Sequence, residues 1–356
     1  MLLRRLSALL LGSLSLTGLL GVGEARAQEC SSALSPCFDA NDLDLPVAPT
    51  RFAAVEDASA QLAPGRLSFG LGFSYLREPV VVTAPSPDPE GRRVPLVSDL
   101  WQADLLIAVG LLEELHLGIG LPLRPAQEGG GADAVTSRVG GTLRGSAVAD
   151  PRVILGWRVL PRGPVVGRLQ LKVKLPLGDE GAFAGTSGLT AAPSFVATSN
   201  EWGPWHVAAE LGATFRSTTR FGDVRLGNQL RFALGVRYSL FRLLSVGVEG
   251  WLAPTLLEQP LTPWGRARHV PAEWHASVGS PLTERLWVQL GAGTGLPLSS
   301  QGAIDDDGRR LPPGEVGTLY CRLGTSTTPF RYHGDEAKTA AAFLEPGLFT
   351  MGDMGR

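Results

Sequence analysis

Residues 165–177 read VVGRLQLKVKLPL. Arg168, Gln170, Lys172 and Lys174 fall on one parity, and Leu169, Leu171, Val173 and Leu175 on the other. On a strand, where successive side chains point to opposite faces, this gives one polar and one apolar face. On a helix the same polar side chains scatter around the axis, so a strand is the only sensible reading. The period recurs along the chain. Ser68, Gly70, Gly72 and Ser74 oppose Leu67, Phe69, Leu71, Phe73 and Tyr75. Arg152 and Arg158 oppose Val153, Leu155 and Trp157, and Arg231 and Arg237 oppose Phe232, Leu234, Val236 and Tyr238. Glu273, His275 and Ser277 oppose Trp274, Ala276 and Val278. About twelve such strands follow, each near the ~9–11 residues that cross a bilayer at a tilt.

The connectors alternate in length. Short ones fall at 112–114, 161–164, 201–204, 241–242 and 283–284, and long ones at 79–97, 124–145, 178–188, 217–227, 254–269 and 299–314. This predicts an all-β, transmembrane antiparallel up-and-down β-barrel with short periplasmic turns and longer outer loops. A secreted sandwich also alternates apolar and polar residues, but it needs no strict long/short alternation and carries outward lysines in number. Lysine occurs here only at 172, 174 and 338.

Composition agrees. Of 356 residues 45 are glycine, 19% are charged and 7% aromatic, with a formal net charge of −2. The apolar content excludes a disordered chain, and the lack of basic excess argues against a nucleic-acid partner. Residues 1–27 read as a signal peptide, with Arg4 and Arg5 before an apolar run and Ala25-Arg26-Ala27 as the cleavage site. Export through an oxidising compartment makes a Cys30–Cys37 disulfide the expected pairing, leaving Cys321 single. No later stretch is long and apolar enough for a spanning helix, so membrane crossing falls to the strands. The expected organisation is signal peptide 1–27, periplasmic N-terminal segment 28–64, barrel 65–330 and periplasmic tail 331–356. The barrel sits in the outer membrane with lipid as its partner, and the oligomeric state is left open.

Four short motifs resemble a known group: Thr50-Arg51-Phe52 before the barrel, Gly118-Ile119-Gly120-Leu121-Pro122-Leu123 at a strand end, Ala149-Asp150-Pro151-Arg152 opening a strand, and Gly317-Thr318-Leu319-Tyr320-Cys321-Arg322 into the last strand. With these the chain resembles the outer-membrane β-barrels of myxobacteria, often labelled OmpA-family barrels or transporters, which are related in pattern to the MetA-pathway phenol-degradation barrels. The resemblance spans about residues 45 to 330 and implies outer-membrane location and solute passage. The chain departs from the family in lacking a C-terminal OmpA-like domain.

The inward parity collects the candidate site. Its cations include Arg152, Arg158, Arg168, Lys172, Lys174, Arg231, Arg237 and Arg322, with Arg66 and Arg216 beside them, and its acids are Asp104, Glu210, Glu249 and Glu273. Cations outnumber acids, and charges in a low-dielectric wall must be paired or wet. The expectation is a partly hydrated, anion-favouring lumen. His275 and Ser277 share a strand face, as a nucleophile and its base do in outer-membrane lipid hydrolases, but a lumen polar ladder is the preferred reading. Asp305-Asp306-Asp307-Gly308 is read as a solvated acidic turn, lacking a calcium loop's ligand spacing. No catalytic group, metal site or cofactor is assigned. The functions, in order, are a narrow pore or transporter for small anionic or amphipathic solutes, a structural or surface-loop barrel without permeation, and last a lipid hydrolase.

Overall fold

The computed structural model describes residues 35–296 apart from 85–91, 135–142, 200–201, 222–223, 242, 258–260, 263–264, 267–268 and 284, together with short pieces farther along. Eleven long strands carry it. They are β1 (Leu67–Ala84), β2 (Arg92–Leu112), β3 (Leu115–Glu128), β4 (Arg152–Leu160), β5 (Val165–Lys174), β6 (Thr190–Ser199), β7 (Trp205–Thr214), β8 (Gln229–Phe241), β9 (Leu244–Leu252), β10 (Ala272–Thr283) and β11 (Leu286–Gly295). Each pairs antiparallel with its neighbours in sequence, giving one up-and-down sheet. The twelfth strand on this path is the piece Gly302–Ala303, parallel to Val82–Thr83 of β1.

The expected last strand differs. Gly317–Thr318 and Cys321–Arg322 pair with Met354–Gly355 and Leu348–Phe349 rather than with β11 or β1. The Arg322 side chain, the Asp305–Asp307 turn and Cys30 lie outside the described residues. The long connector expected over 79–97 also differs. It is mostly ladder, with Val80 opposite Val97 and Ala84 opposite Arg92. Two irregularities between Arg77 and Val81 cancel and leave the register unchanged, and the inward Val80 and Val82 join an apolar cluster. β-branched residues suit that extension.

The strands turn their two faces as the period requires. Leu169 and Leu171 are exposed, while Arg168, Gln170 and Lys172 are buried. Phe69, Phe73 and Leu290 are each more than 70% exposed, in a belt that includes Leu121, Leu211, Leu234 and Val248. Aromatic pairs mark its two rims: Tyr75 with Trp101 at the loop end, and Trp205 with Tyr238 at the turn end. No helix among the described residues is long and apolar enough to cross a membrane.

The sheet curls around the N-terminal segment. Laid flat, strands ~4.8 Å apart would put β1 about 38 Å from β9. Yet Leu45 fills the space over Gly72 of β1, and Ala53, eight residues on, is bonded to Glu249 of β9. Eight extended residues reach at most ~28 Å. The same segment also bonds to β3, β4, β5 and β7 through Asp39, Asp44, Glu56 and Asp57, so the sheet wraps round it, which is the barrel architecture.

The segment expected in the periplasm is therefore placed differently. The Ser35 amide donates to the Arg220 carbonyl, and Phe38 packs on Phe183 and Phe221, all in the long connectors. At the other end Pro64 bridges Gly110, beside the short turn that joins β2 to β3. Residues 35–64 thus thread the interior from the loop end to the turn end as a plug. The physical reason is charge: the inward cations exceed the acids of their own strands, and the segment supplies the missing carboxylates. Above the plug, Phe38, Val82, Leu96, Leu100, Phe183 and Phe221 form an apolar lid across the loop end.

Candidate functional site: the plugged lumen

The site is built where inward positions of β4 to β9 meet the plug. Near the loop end β4 and β5 place Arg152 opposite Lys174, and the Asp44 carboxylate lies between them. Lys174 Nζ is 2.9 Å from Asp44 Oδ1, Lys172 Nζ is 3.2 Å from Oδ2, and Arg152 Nη1 is 3.7 Å from Oδ1. Arg152 also reaches Asp104 of β2 at 3.1 Å and donates to the Leu45 carbonyl at 2.9 Å. Burial alone would raise the Asp44 carboxyl, but Lys172, Lys174 and Arg152 hold it well below the usual carboxylate range. Asp39 pairs with buried Arg124 of β3.

Toward the turn end the same pattern repeats. Arg168 Nη2 is 3.0 Å from Glu56 Oε2, and His206 Nε2 is 2.9 Å from Asp57 Oδ2. Arg231 donates to the Ala54 carbonyl at 3.2 Å and lies 3.7 Å from Glu210. Glu249 accepts the backbone N–H groups of Ala53, Ala54 and Val55. Phe52 is buried over Gly235, stacks on His206, and receives the Arg237 guanidinium at 5.9 Å. The ring fits because β8 has no Cβ there; one built on Gly235 would sit 2.7 Å from it.

The remaining candidates are peripheral. Arg158 is partly exposed at the turn end and pairs with Glu114 at 2.5 Å. Glu273 is bonded to His275 at 3.2 Å. Ser277 instead accepts from Arg237 Nη2 at 2.7 Å. The imidazole and the hydroxyl are thus held by different partners on the inner wall and do not form a nucleophile–base pair. Cys37 is disulfide-bonded. Among the described residues no group of histidine, cysteine or carboxylate side chains is arranged to hold a metal ion.

The sequence reading names inward charges of the strands and does not name the plug acids Asp39, Asp42, Asp44, Glu56 and Asp57. The available signal was the unbalanced positive wall itself. It was read as evidence for water when it also called for a partner segment. What remains open beside the plug is a polar cavity of about 70 Å³, bounded by Asp42 and Asp44 on the plug side and by Lys174, Glu210, Arg216 and Arg231 on the wall. That is room for roughly five waters.

No protein-family model matches this sequence, and no curated protein does. The finer family resemblance suggested by the short motifs thus finds no matching model. A solved structure to which the chain is similar is the crystal structure of an outer membrane channel from Pseudomonas putida F1, at 14% identity and a TM-score of 0.42, over 68% of this chain and 91% of that one.

Proposed function

We propose that this chain is an outer-membrane β-barrel stoppered by its own N-terminal segment, and that it passes small anionic solutes when the segment shifts. The apolar belt supports a membrane setting. Monomeric soluble proteins rarely expose contiguous apolar patches above a few hundred Å², whereas this belt covers the outward face of every long strand and is rimmed by aromatic pairs, as in outer-membrane barrels.

The observation that carries the functional reading is Asp44, one carboxylate held by Lys172, Lys174 and Arg152. A buried charge network is a weak source of net stability, so three cations gathered on one plug carboxylate suit a latch that opens. With the plug withdrawn, the exposed wall is positive and concentrates anions. The apolar lid over the loop end favours a second reading, a permanently closed structural barrel.

Planar-bilayer recording separates the two. The expected result is infrequent small openings in the unaltered protein and more frequent ones in Asp44→Asn plus Glu56→Gln, with an anion-preferring reversal potential in a salt gradient. Lys172→Glu plus Lys174→Glu should weaken that preference. Silence from all of them supports the structural barrel. Membrane fractionation with heat-modifiable gel migration tests the outer-membrane placement.

A further inference from the structure

The carboxylate of Asp44 is held from two sides. Its Oδ1 lies 2.9 Å from Lys174 Nζ and 3.7 Å from Arg152 Nη1, and its Oδ2 lies 3.2 Å from Lys172 Nζ. The three cations stand on two paired strands, β4 and β5, where Arg152 is opposite Lys174 and Ile154 is opposite Lys172. All three side chains therefore meet at one planar group with two oxygens.

The wall holds these cations in unequal ways. Arg152 has a wall acid of its own, Asp104 of β2 at 3.1 Å. It also lies across Gly120 of β3, where a Cβ would sit 2.8 Å from its Nε. The guanidinium is thus set by the wall as well as by the plug. Lys172 and Lys174 differ. Among the described residues each has Asp44 as its only ion-pair partner. A plug that shifts takes that partner away and leaves both ammonium groups on the inner wall. Charges there must be paired or wet. A second carboxylate restores the contacts to both oxygens at once. A halide is a single point and cannot divide itself between donors set for two oxygens. The seat also adjoins free volume, because Asp44, Lys172 and Lys174 border the cavity of about 70 Å³. That leaves room for a few non-hydrogen atoms beyond the carboxylate itself.

We infer that the Asp44 seat is a carboxylate-binding site of the lumen, filled by the plug's own side chain while the segment is docked and open to the carboxylate of a solute once it shifts. Arg152 orients the group, and Lys172 and Lys174 supply the attraction. The inference rests on the shifting plug proposed above, and it names the class of that reading's anionic solutes. It also sets the cations of β5 apart from Arg231, which keeps Glu210 of its own wall at 3.7 Å.

Vacating the seat tests it. Asp44→Ala removes the carboxylate alone, and sodium formate gives that group back as a free ion. Calorimetric titration of the folded full chain in detergent at neutral pH reads the binding, with ionic strength held by sodium chloride. Asp44→Ala should bind formate saturably, and neutral formamide at least about tenfold more weakly. The unaltered chain should also bind formate at least about tenfold more weakly, because a tethered Asp44 fills the seat at high effective concentration. Adding Lys172→Gln to Asp44→Ala should weaken formate about tenfold, whereas adding Leu171→Phe, on the outer face, should change nothing. The heat-modifiable gel shift checks the fold of each variant. Asp44→Gly with sodium acetate repeats the test with the whole side chain removed. Equal binding of formate and formamide, formate binding indifferent to Lys172→Gln, or no saturable binding in either vacated seat overturns the site. Saturable formate binding by Asp44→Ala with every variant silent in bilayers removes the permeation reading and keeps the site. Anion-preferring openings in a chain whose vacated seat takes no formate do the reverse.

Discussion

The carboxylate of Glu249 accepts the backbone N–H of Ala54 at 2.7 Å, and the N–H groups of Ala53 and Val55 close around the same oxygen at 3.0 and 3.2 Å. One side chain of β9 thus supplies the hydrogen bonds of three consecutive plug amides that have no strand to pair with. Unpaired, each would cost about 1–3 kcal/mol. Glu249→Ala should release residues 52–58, and hydrogen exchange of the amides of Ala53, Ala54 and Val55 should speed up about a hundredfold. Glu249→Gln keeps an acceptor oxygen and should cost roughly half as much in free energy. Mass-spectrometric exchange of that peptide reads both variants. Unchanged protection in Glu249→Ala would show that the plug is held elsewhere.

Gly235 and Phe52 make a second, independent contact. A Cβ on residue 235 would lie 2.7 Å from the Phe52 ring, so any side chain there competes with the plug for the same space. Gly235→Val should expel Phe52, expose the plug to added protease at Arg51, and leave the strand ladders intact. The expected pattern is plug cleavage with an unchanged heat-modifiable gel shift. Loss of the folded band altogether would mean that the glycine serves the sheet and not the plug.

Leu171 tests the other face of the wall. It is exposed on β5 between buried Gln170 and Lys172. Leu171→Arg should destabilise the folded barrel in lipid by ~2–4 kcal/mol if the residue lies near the bilayer midplane. Leu171→Phe should stay within about 0.5 kcal/mol, as surface substitutions do. Denaturant titration of the refolded barrel in vesicles measures both, and equal costs would take residue 171 off the lipid face.

The strands were legible because each carries its own evidence: Leu169 and Leu171 alternate with Arg168, Gln170 and Lys172 whatever the rest of the chain does. The plug was not legible, for a physical reason. Asp44 and Glu56 belong to no repeating element, and their partners Lys172 and Arg168 lie more than 100 residues away in sequence. Phe52 stood out only as part of the Thr50-Arg51-Phe52 motif; its place in the lumen depends on Gly235, which in sequence looks like any strand glycine. The ladder beyond Arg77 was missed because its inward positions, Val80, Val82, Leu96 and Leu100, are apolar, so the polar/apolar alternation on which the reading depends is absent there.

Two carboxylates on the plug, both outside the strands, give its docking a pH window. Asp44 is held well below the usual carboxylate range by Lys172, Lys174 and Arg152, although burial opposes them. A depressed value means that its contribution is present above the unfolded carboxylate value of about 3.9 and is lost as pH falls through the docked value. Asp42 has the opposite sign. Burial pushes it up to about 6, against the pull of Arg216 and Lys174 and with Asp39 and Glu273 adding to the rise. Its neutral form favours the docked plug, and that advantage fades as pH rises from about 4 through 6. Docking should therefore be tightest near pH 4, loosening modestly as pH rises from about 4 to 6 and strongly in acid. Exchange of the plug amides, corrected for the intrinsic rate at each pH, measures the window. Asp42→Asn should remove the loosening on the neutral side, and Asp44→Asn should weaken docking throughout and remove its further loss in acid. Protection that rises steadily from pH 4 to 8 in the unaltered protein would sink the assignment of Asp42.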